Sequence, residues 1–245
     1  MLESEYNIEA IEVTLLILSL DTTTRGGSVA LIRDGRVVFE QAGNAERTHT
    51  ERLPSELMSA CDAGGVGIAE VELFAVAVGP GSFTGLRMGI ATVQGLAMAR
   101  DRLVVPVSTL QALAAAAPGN AGRIAAWMDA QRGEVFAQMF DRTPAGEVPL
   151  GDAVSAPPEA VLTLHASLLE SATFHGDGAA RYRERIVTAL GETACPIDPV
   201  RPLAGAIGLI AARDPERAIL PHAIAPIYVR RPDVEITRDR RAGTT

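Results

Sequence analysis

The sequence predicts an α/β protein built as two similar lobes. Three observations carry that prediction. Apolar runs of strand length alternate with segments of helical periodicity. The stretch ILSLDTTTRGGSVAL at 17–31 has a weak echo in IAAWMDAQRGEVFAQM at 124–139: an apolar strand, an aspartate, a polar turn with Arg-Gly, and an alternating strand. Between them stands Pro118-Gly119-Asn120-Ala121-Gly122, a linker composition. The repeat is too long for a solenoid and reads as duplication. The expected layout is an extension over 1–14, a first lobe over 15–117, a smaller second lobe over 118–215, and a return segment and tail over 216–245.

Leu15 to Leu20 reads as a buried strand ending at Asp21, followed by the polar turn Thr22 to Gly27. Ser28 to Ile32 is a second strand, and Asp34-Gly35 signals a hairpin into a third at Val37 to Glu40. Thr48 or Thr50 caps a helix running to about Ala63, on which Leu53, Leu57, Ala60 and Cys61 share a face. Pro54 is tolerated there because it falls in the first turn. After a strand at Leu73 to Val78, Gly79-Pro80-Gly81 ends the run and Ser82 caps the next helix. Leu103 to Val107 is a strand and Ser108 caps Leu110 to Ala117. The second half adds a Pro-Gly turn over 143–146, a strand, a helix at Pro158 to Leu169, a strand at Ala172 to His175 and a helix to Leu190. An Ala/Ile-rich helix follows near Leu203 to Ala212. Ile224 to Val229 is a last strand or an extended segment returning to the first lobe, Pro226 arguing for an edge or irregular position.

The helix from Phe83 to Ala99 is the unusual element. Arg87 is its only charged residue. Leu86, Ile90, Val93 and Ala97 make one stripe; Met88, Ala91, Thr92, Gly95 and Met98 make another on the opposite side. A helix apolar all round calls for burial all round. A single sheet covers one face, and Gly85 and Gly89 leave room for a second backbone to come close. The expectation is that the other face packs on a second protein chain; the alternative is a helix sandwiched inside its own fold. Met88, Gly89, Thr92 and Gly95 with Leu53, Leu57 and Leu86 are the candidate interface residues.

Composition narrows the function classes. With 47% apolar and 21% charged residues the chain is of globular type. Its apolar stretches stop short of the roughly 20 residues a bilayer span needs, and the acidic start lacks the positive charge of a secretory signal, so a cytoplasmic protein is expected. A net charge of −8 argues against gripping nucleic acid alone. The late cluster Arg230, Arg231, Arg238, Arg240 and Arg241 reads as a solvated tail. All 22 basic side chains are arginine, which removes every mechanism that needs a lysine. Cys61 and Cys195 make neither a disulfide framework nor a zinc site. His49, His165, His175 and His222 have no ligand spacing, so no metal site is expected.

GPGSFTG at 79–85 has the look of a phosphate cradle, with Gly81 and Ser82 at a helix N-terminus. It lacks the Gly-Lys-Ser/Thr of a P-loop, the dinucleotide spacing and the nucleophile elbow. The plainer reading is a turn that sets the helix on the sheet. Asp21 with Thr22 and Thr23 stands where a duplicated α/β kinase would hold magnesium and phosphate, and Asp129 is its counterpart; strand-end aspartates also cap turns. No catalytic constellation is nameable from sequence.

In order along the chain come ILSLDTT, HTERLPSEL, GPGSFTGLRMGIATVQGLA, VSTL, DAQRGEVFA, the Gly-Asp-Gly at 176–178 and PIYVRRPDVE. Together they resemble the bacterial TsaB (YeaZ) family of threonylcarbamoyladenosine biosynthesis in tRNA, over about Leu15 to Glu235. The resemblance implies an actin/hexokinase/Hsp70-like (ASKHA) fold. It implies a non-catalytic subunit that pairs with TsaD, the subunit that transfers the threonylcarbamoyl group to the adenosine beside the anticodon. TsaC would supply the activated intermediate, TsaE would join the pair, and tRNA would be reached only through the complex. The helices at 50–63 and 82–100 would pack against their equivalents in TsaD, or against a second copy in a homodimer; the longer offers a strip of roughly 28 Å. TsaD-like proteins carry two histidines on one helix for a metal, and the helix after His49 lacks the second. Gly176 and Gly178 stand in a thinner loop than the adenosine loop of active relatives. No cofactor is required on this reading, with weak or interface-bound ATP or ADP at a vestigial site. The alternative is an ATP-dependent phosphotransferase of the same fold.

Overall fold

The structure, a computed structural model, describes residues 15–119, 122–169, 171–192 and 201–230. The proposed extension over 1–14, Cys195 and the arginines beyond Arg230 lie outside the described residues.

The first sheet has the order β3-β2-β1-β4-β5, from β1 (Leu16–Asp21), β2 (Ser28–Arg33), β3 (Arg36–Ala42), β4 (Leu73–Ala77) and β5 (Leu103–Val107). β1 runs antiparallel to β2 and parallel to β4. Its side chains alternate between two cores, as the pleat requires: Leu16, Leu18 and Leu20 enter one, Ile17 the other. The second sheet repeats the plan with β10-β6-β7-β8: β6 (Gly122–Asp129), β7 (Val135–Thr143) and β8 (Gly146–Pro149) antiparallel, and β10 (Thr173–His175) parallel to β6. A short β9 (Val154–Ala156) pairs with β7. Asp21 and Asp129 close β1 and β6 at equivalent positions.

Helices α1 (His49–Ala63) and α2 (Phe83–Met98) cover one face of the first sheet, where Leu53, Leu57, Leu86, Ile90 and Val93 pack on β1, β2 and β4. Thr48 caps α1, and the Glu51 carboxylate accepts from both its backbone N–H and its hydroxyl. The outer face of the second sheet carries α4 (Pro158–Leu164), α5 (Asp177–Arg181) and α6 (Arg183–Leu190) around Trp127 and Phe174. The single helix expected up to Leu190 is broken at Tyr182 (φ −105°, ψ 22°), and the one expected to Leu169 ends at Leu164.

The remaining two helices cross over. α3 (Thr109–Ala116) leaves the first sheet and packs on β6, β7 and β8, while α7 (Ala204–Arg213) returns to lie on β1, β2 and β4. The largest core therefore joins Ile17 and Ala75 to Ile124, Met128 and Phe140 through Leu110, Leu113, Ile207 and Ile210. Ser28 Oγ accepts the N–H groups of Leu203 and Ala204. Division at residues 118 and 216 follows the chain but not the packing: α7, assigned by sequence to the second lobe, completes the first. Past α7, Ile219 pairs with Val104 on the edge of β5, and residues 224–228 continue without joining a sheet before a bend at 229–230.

Candidate functional site

The ends of β1 and β6, the turn before α2 and the start of α5 surround a cleft of about 580 Å³ between the lobes. Thr23, Thr24, Arg25, Gly81 and Ser82 line it from the first lobe, Asp129, Gln131 and Asp177 from the second, and Ile227 to Arg230 from the C-terminal segment. Four of the nucleotide-site residues expected from sequence thus face this space: Thr23, Gly81, Ser82 and Asp129. Asp21 and Thr22 lie behind it, and of the Gly-Asp-Gly only Asp177 lines it.

Asp21 is fully buried, and its own turn consumes its carboxylate. Oδ1 accepts the Thr23 N–H at 2.7 Å and the Thr23 hydroxyl at 2.6 Å; Oδ2 accepts the Thr24 hydroxyl at 2.6 Å. This is the turn-capping geometry of an aspartate. Gly81 is the residue that fits its place, because a Cβ there would stand 2.5 Å from Thr23 Cβ, and the Ser82 N–H reaches Thr23 O at 2.9 Å. Ser82 Oγ accepts the Gly85 N–H as an N-cap. The GPGSFTG turn seats α2 on the end of β1. Gly176 and Gly178 press against the end of β6, where a Cβ would fall 2.1 Å from Trp127 O and 2.7 Å from Met128 C.

In the second lobe Asp129 accepts from the Gln131 backbone and side chain and from Arg181 at 2.7 Å. Asp177 Oδ1 accepts the Asp129 N–H at 3.0 Å. Part of Asp177 faces the open cleft, but protein crowds its inner side. That loss of hydration, with the Asp129 charge added, pushes its pKa above the ordinary carboxylate value against the pull of the Asp129 and Gly178 amides. Among the described residues no group of three or more His, Cys, Asp or Glu side chains is placed to hold a metal ion.

A cluster missed in the sequence lies under the Thr22–Gly27 turn. Arg52 is buried, pairs with Glu56 at 2.5 Å and meets His49 Nδ1 through Nη2. Gly43 and Gly27 make room for its guanidinium, since a Cβ on either would fall on it. Burial first, and the Arg52 charge second, push the His49 pKa below the usual value. The signal available was an Arg-Glu pair at i, i+4 directly beside the apolar positions Leu53 and Leu57.

The two stripes of α2 separate cleanly. Leu86, Gly89, Ile90, Val93 and Ala97 are buried inside the chain, as are Leu53 and Leu57 on α1. Leu53, Leu57, Leu86 and Gly89 therefore belong to the core rather than to an interface. What Gly85 and Gly89 admit is the chain's own Thr22: a Cβ on Gly85 would stand 1.9 Å from Thr22 O, and one on Gly89 2.1 Å from Thr22 Oγ1. An arginine at Gly89 would break the fold, with Thr22 Oγ1 2.1 Å from the position of its Cβ. The second stripe stays outside. Met88 and Thr92 are half-buried, Ala91 and Gly95 exposed, and Met98 is 61% exposed. Phe83 at 41% and Met58 of α1 at 50% add to this exposed apolar surface.

The chain's likeness to known proteins falls on these same elements. A family model described as TsaD, tRNA N6-adenosine threonylcarbamoyltransferase, matches residues 38–183. The solved YeaZ from Pseudomonas aeruginosa is 30% identical, covers 87% of this chain and 99% of its own, and superposes with a TM-score of 0.71. The chain belongs to the TsaB/YeaZ family. The tRNA threonylcarbamoyladenosine biosynthesis protein TsaB of Haemophilus influenzae is 40% identical over 124 residues, and that of Escherichia coli 37% over 134. The chain spans about half the length of the curated relatives it matches, 52% and 57% of these two. The TsaB/YeaZ likeness places the two lobes in the ASKHA-like fold. No helix among the described residues is long and apolar enough to cross a membrane.

Proposed function

We propose that this chain is a non-catalytic subunit in the formation of threonylcarbamoyladenosine in tRNA, a cytoplasmic scaffold that docks on a TsaD-type transferase. The observation that carries the reading is the outer stripe of α2. Met88, Ala91, Thr92, Gly95 and Met98, continued by Met58 and Phe83, form an apolar strip on a family member whose named relatives act in this pathway. Paired with α1, a helix of this length offers a strip that approaches the roughly 800 Å² per partner of a standard interface. The cleft supports a scaffold rather than a phosphotransferase, because Asp21 spends both carboxylate oxygens on Thr23 and Thr24. TsaE and TsaC complete the assembly on this reading, tRNA is met only through the complex, and a second copy occupies the strip when the chain is alone. Any ATP or ADP is bound weakly, in the cleft or at the subunit joint.

Reconstitution tests it. TsaC, TsaD, TsaE, tRNA and substrates are assayed with and without this chain; the modification is expected only with it. Equal yield without the chain defeats the scaffold. Calorimetry with Mg-ATP on the isolated chain separates the other class, since micromolar binding with turnover would mark a phosphotransferase.

A further inference from the structure

The C-terminal segment touches three places in turn. Gln94 of α2 donates to Pro221 O at 2.9 Å, and Ile224 is buried in the α1–α2 core. The Ile227 N–H donates to Val78 O at 2.6 Å, so closely that a Cβ on Gly79 would fall 2.5 Å from Ile227 O. Tyr228 then meets the first turn of α2: its ring lies 5.5 Å from that of Phe83, and its hydroxyl accepts from Arg87 Nε at 3.3 Å. Arg87 in turn stands 3.9 Å over the Phe83 ring. Two residues later the segment changes lobes. Arg230 bonds Glu134 at 3.2 Å in the β6–β7 turn and lies 5.7 Å over the Phe136 ring. Both partners of that ion pair are about seven-tenths shielded from solvent, at 29% and 31% exposure, so it is less screened than an open surface pair.

The crossed helices α3 and α7 hold the lobes together through the shared core. Ile227 to Arg230 bridge them at the cleft and line it. A strap fixed at Tyr228 and Arg230 limits how far the lobes part about α3 and α7. We infer that residues 224–230 are a latch that couples the exposed first turn of α2 to the width of the cleft. Displacing Tyr228 from Phe83 slackens the strap and frees the second hairpin. The inference stands on this geometry and not on the identity of any partner. If a partner does cover the α2 strip, it presses on Phe83 and so reaches the cleft by this route.

The test is an interlobe distance measured by double electron–electron resonance. Spin labels are placed at Ser59→Cys on α1 and Ala189→Cys on α6, both exposed, with Cys61→Ala and Cys195→Ser. The parent chain is expected to give one narrow distribution. Arg230→Glu, which sets two acids face to face, is expected to broaden and lengthen it. Phe83→Ala is expected to do the same from the far end of the strap. Adding Glu134→Arg to Arg230→Glu restores the pair and the narrow distribution. A distribution for either single variant that superimposes on the parent overturns the coupling.

Discussion

Thr22 is wedged against the first two turns of α2. Its carbonyl and hydroxyl stand where the side chains at Gly85 and Gly89 would begin, so the residue after β1 fits against α2 only because neither position carries a Cβ. Gly89→Ala, a single added methyl, is expected to cost about 1–3 kcal/mol, the usual penalty for overpacking. For a chain of this size that lowers the melting temperature by about 2–4 °C per kcal/mol, read by calorimetry. Asp177 supplies a pH dependence. Its folded-state pKa is raised, so the folded form holds a proton that the unfolded form has already released. The stability it contributes is full below the ordinary carboxylate value near 4 and is lost as pH rises through the raised value. Asp177→Asn keeps an oxygen for the Asp129 N–H and is expected to flatten that decline in urea titrations between pH 4 and neutrality. Burial raises the Glu40 pKa as well, so part of the decline stays; a decline of undiminished size in the variant refutes the assignment to Asp177. Of these residues, the sequence disclosed the aspartates at the strand ends but not their partners. Which lone pair of Asp21 is spent depends on a turn three residues long, and nothing in the order Asp-Thr-Thr-Thr tells capping from ligand binding.

At the scale of the element, α2 divides the legible from the illegible. Its two stripes follow from helical periodicity alone, and so does the need to cover both. Which stripe faces inward does not follow, because Leu86 and Met88 are equally apolar. The decision falls to Gly85 and Gly89, which share a side with Leu86 and let that side approach β1. The sequence reads the two glycines correctly as a close approach and assigns the wrong partner. Two substitutions are expected to behave oppositely. Gly95, where an added Cβ meets nothing, is expected to accept Gly95→Arg with an unchanged melting temperature and to lose co-elution with a TsaD-type partner on a sizing column. Leu86→Ala, inside the core, is expected to cost about 2–5 kcal/mol. Persistent co-elution of the Gly95 variant at micromolar concentration removes the strip from the interface.

Across the whole molecule, the duplication is visible in the sequence because both halves spend the same residues on a strand, an aspartate and an Arg-Gly turn. The exchange of α3 and α7 is not visible. Each is apolar enough to lie on either sheet, and only the three-dimensional path shows that each crosses to the sheet of the other half. Pro118 to Gly122 is a linker in composition, yet Arg142 of β7 reaches back to the carbonyls of Ala114 and Gly119 and fixes the junction. A shared core predicts one cooperative unfolding event. Trp127, the sole tryptophan, is wholly buried in the second lobe, and its fluorescence is expected to change at the same urea concentration as far-ultraviolet dichroism. Two separated midpoints show that the halves melt on their own.

The exchange also bears on how the protein is made. A ribosome delivers β1 to β5 long before it delivers Ala204, so one side of the first sheet stays bare through most of translation. Greasy residues such as Ile17, Ala30 and Ile32 wait there for a cover that arrives almost last. The nascent chain is thus a natural client for chaperones that shield apolar strands.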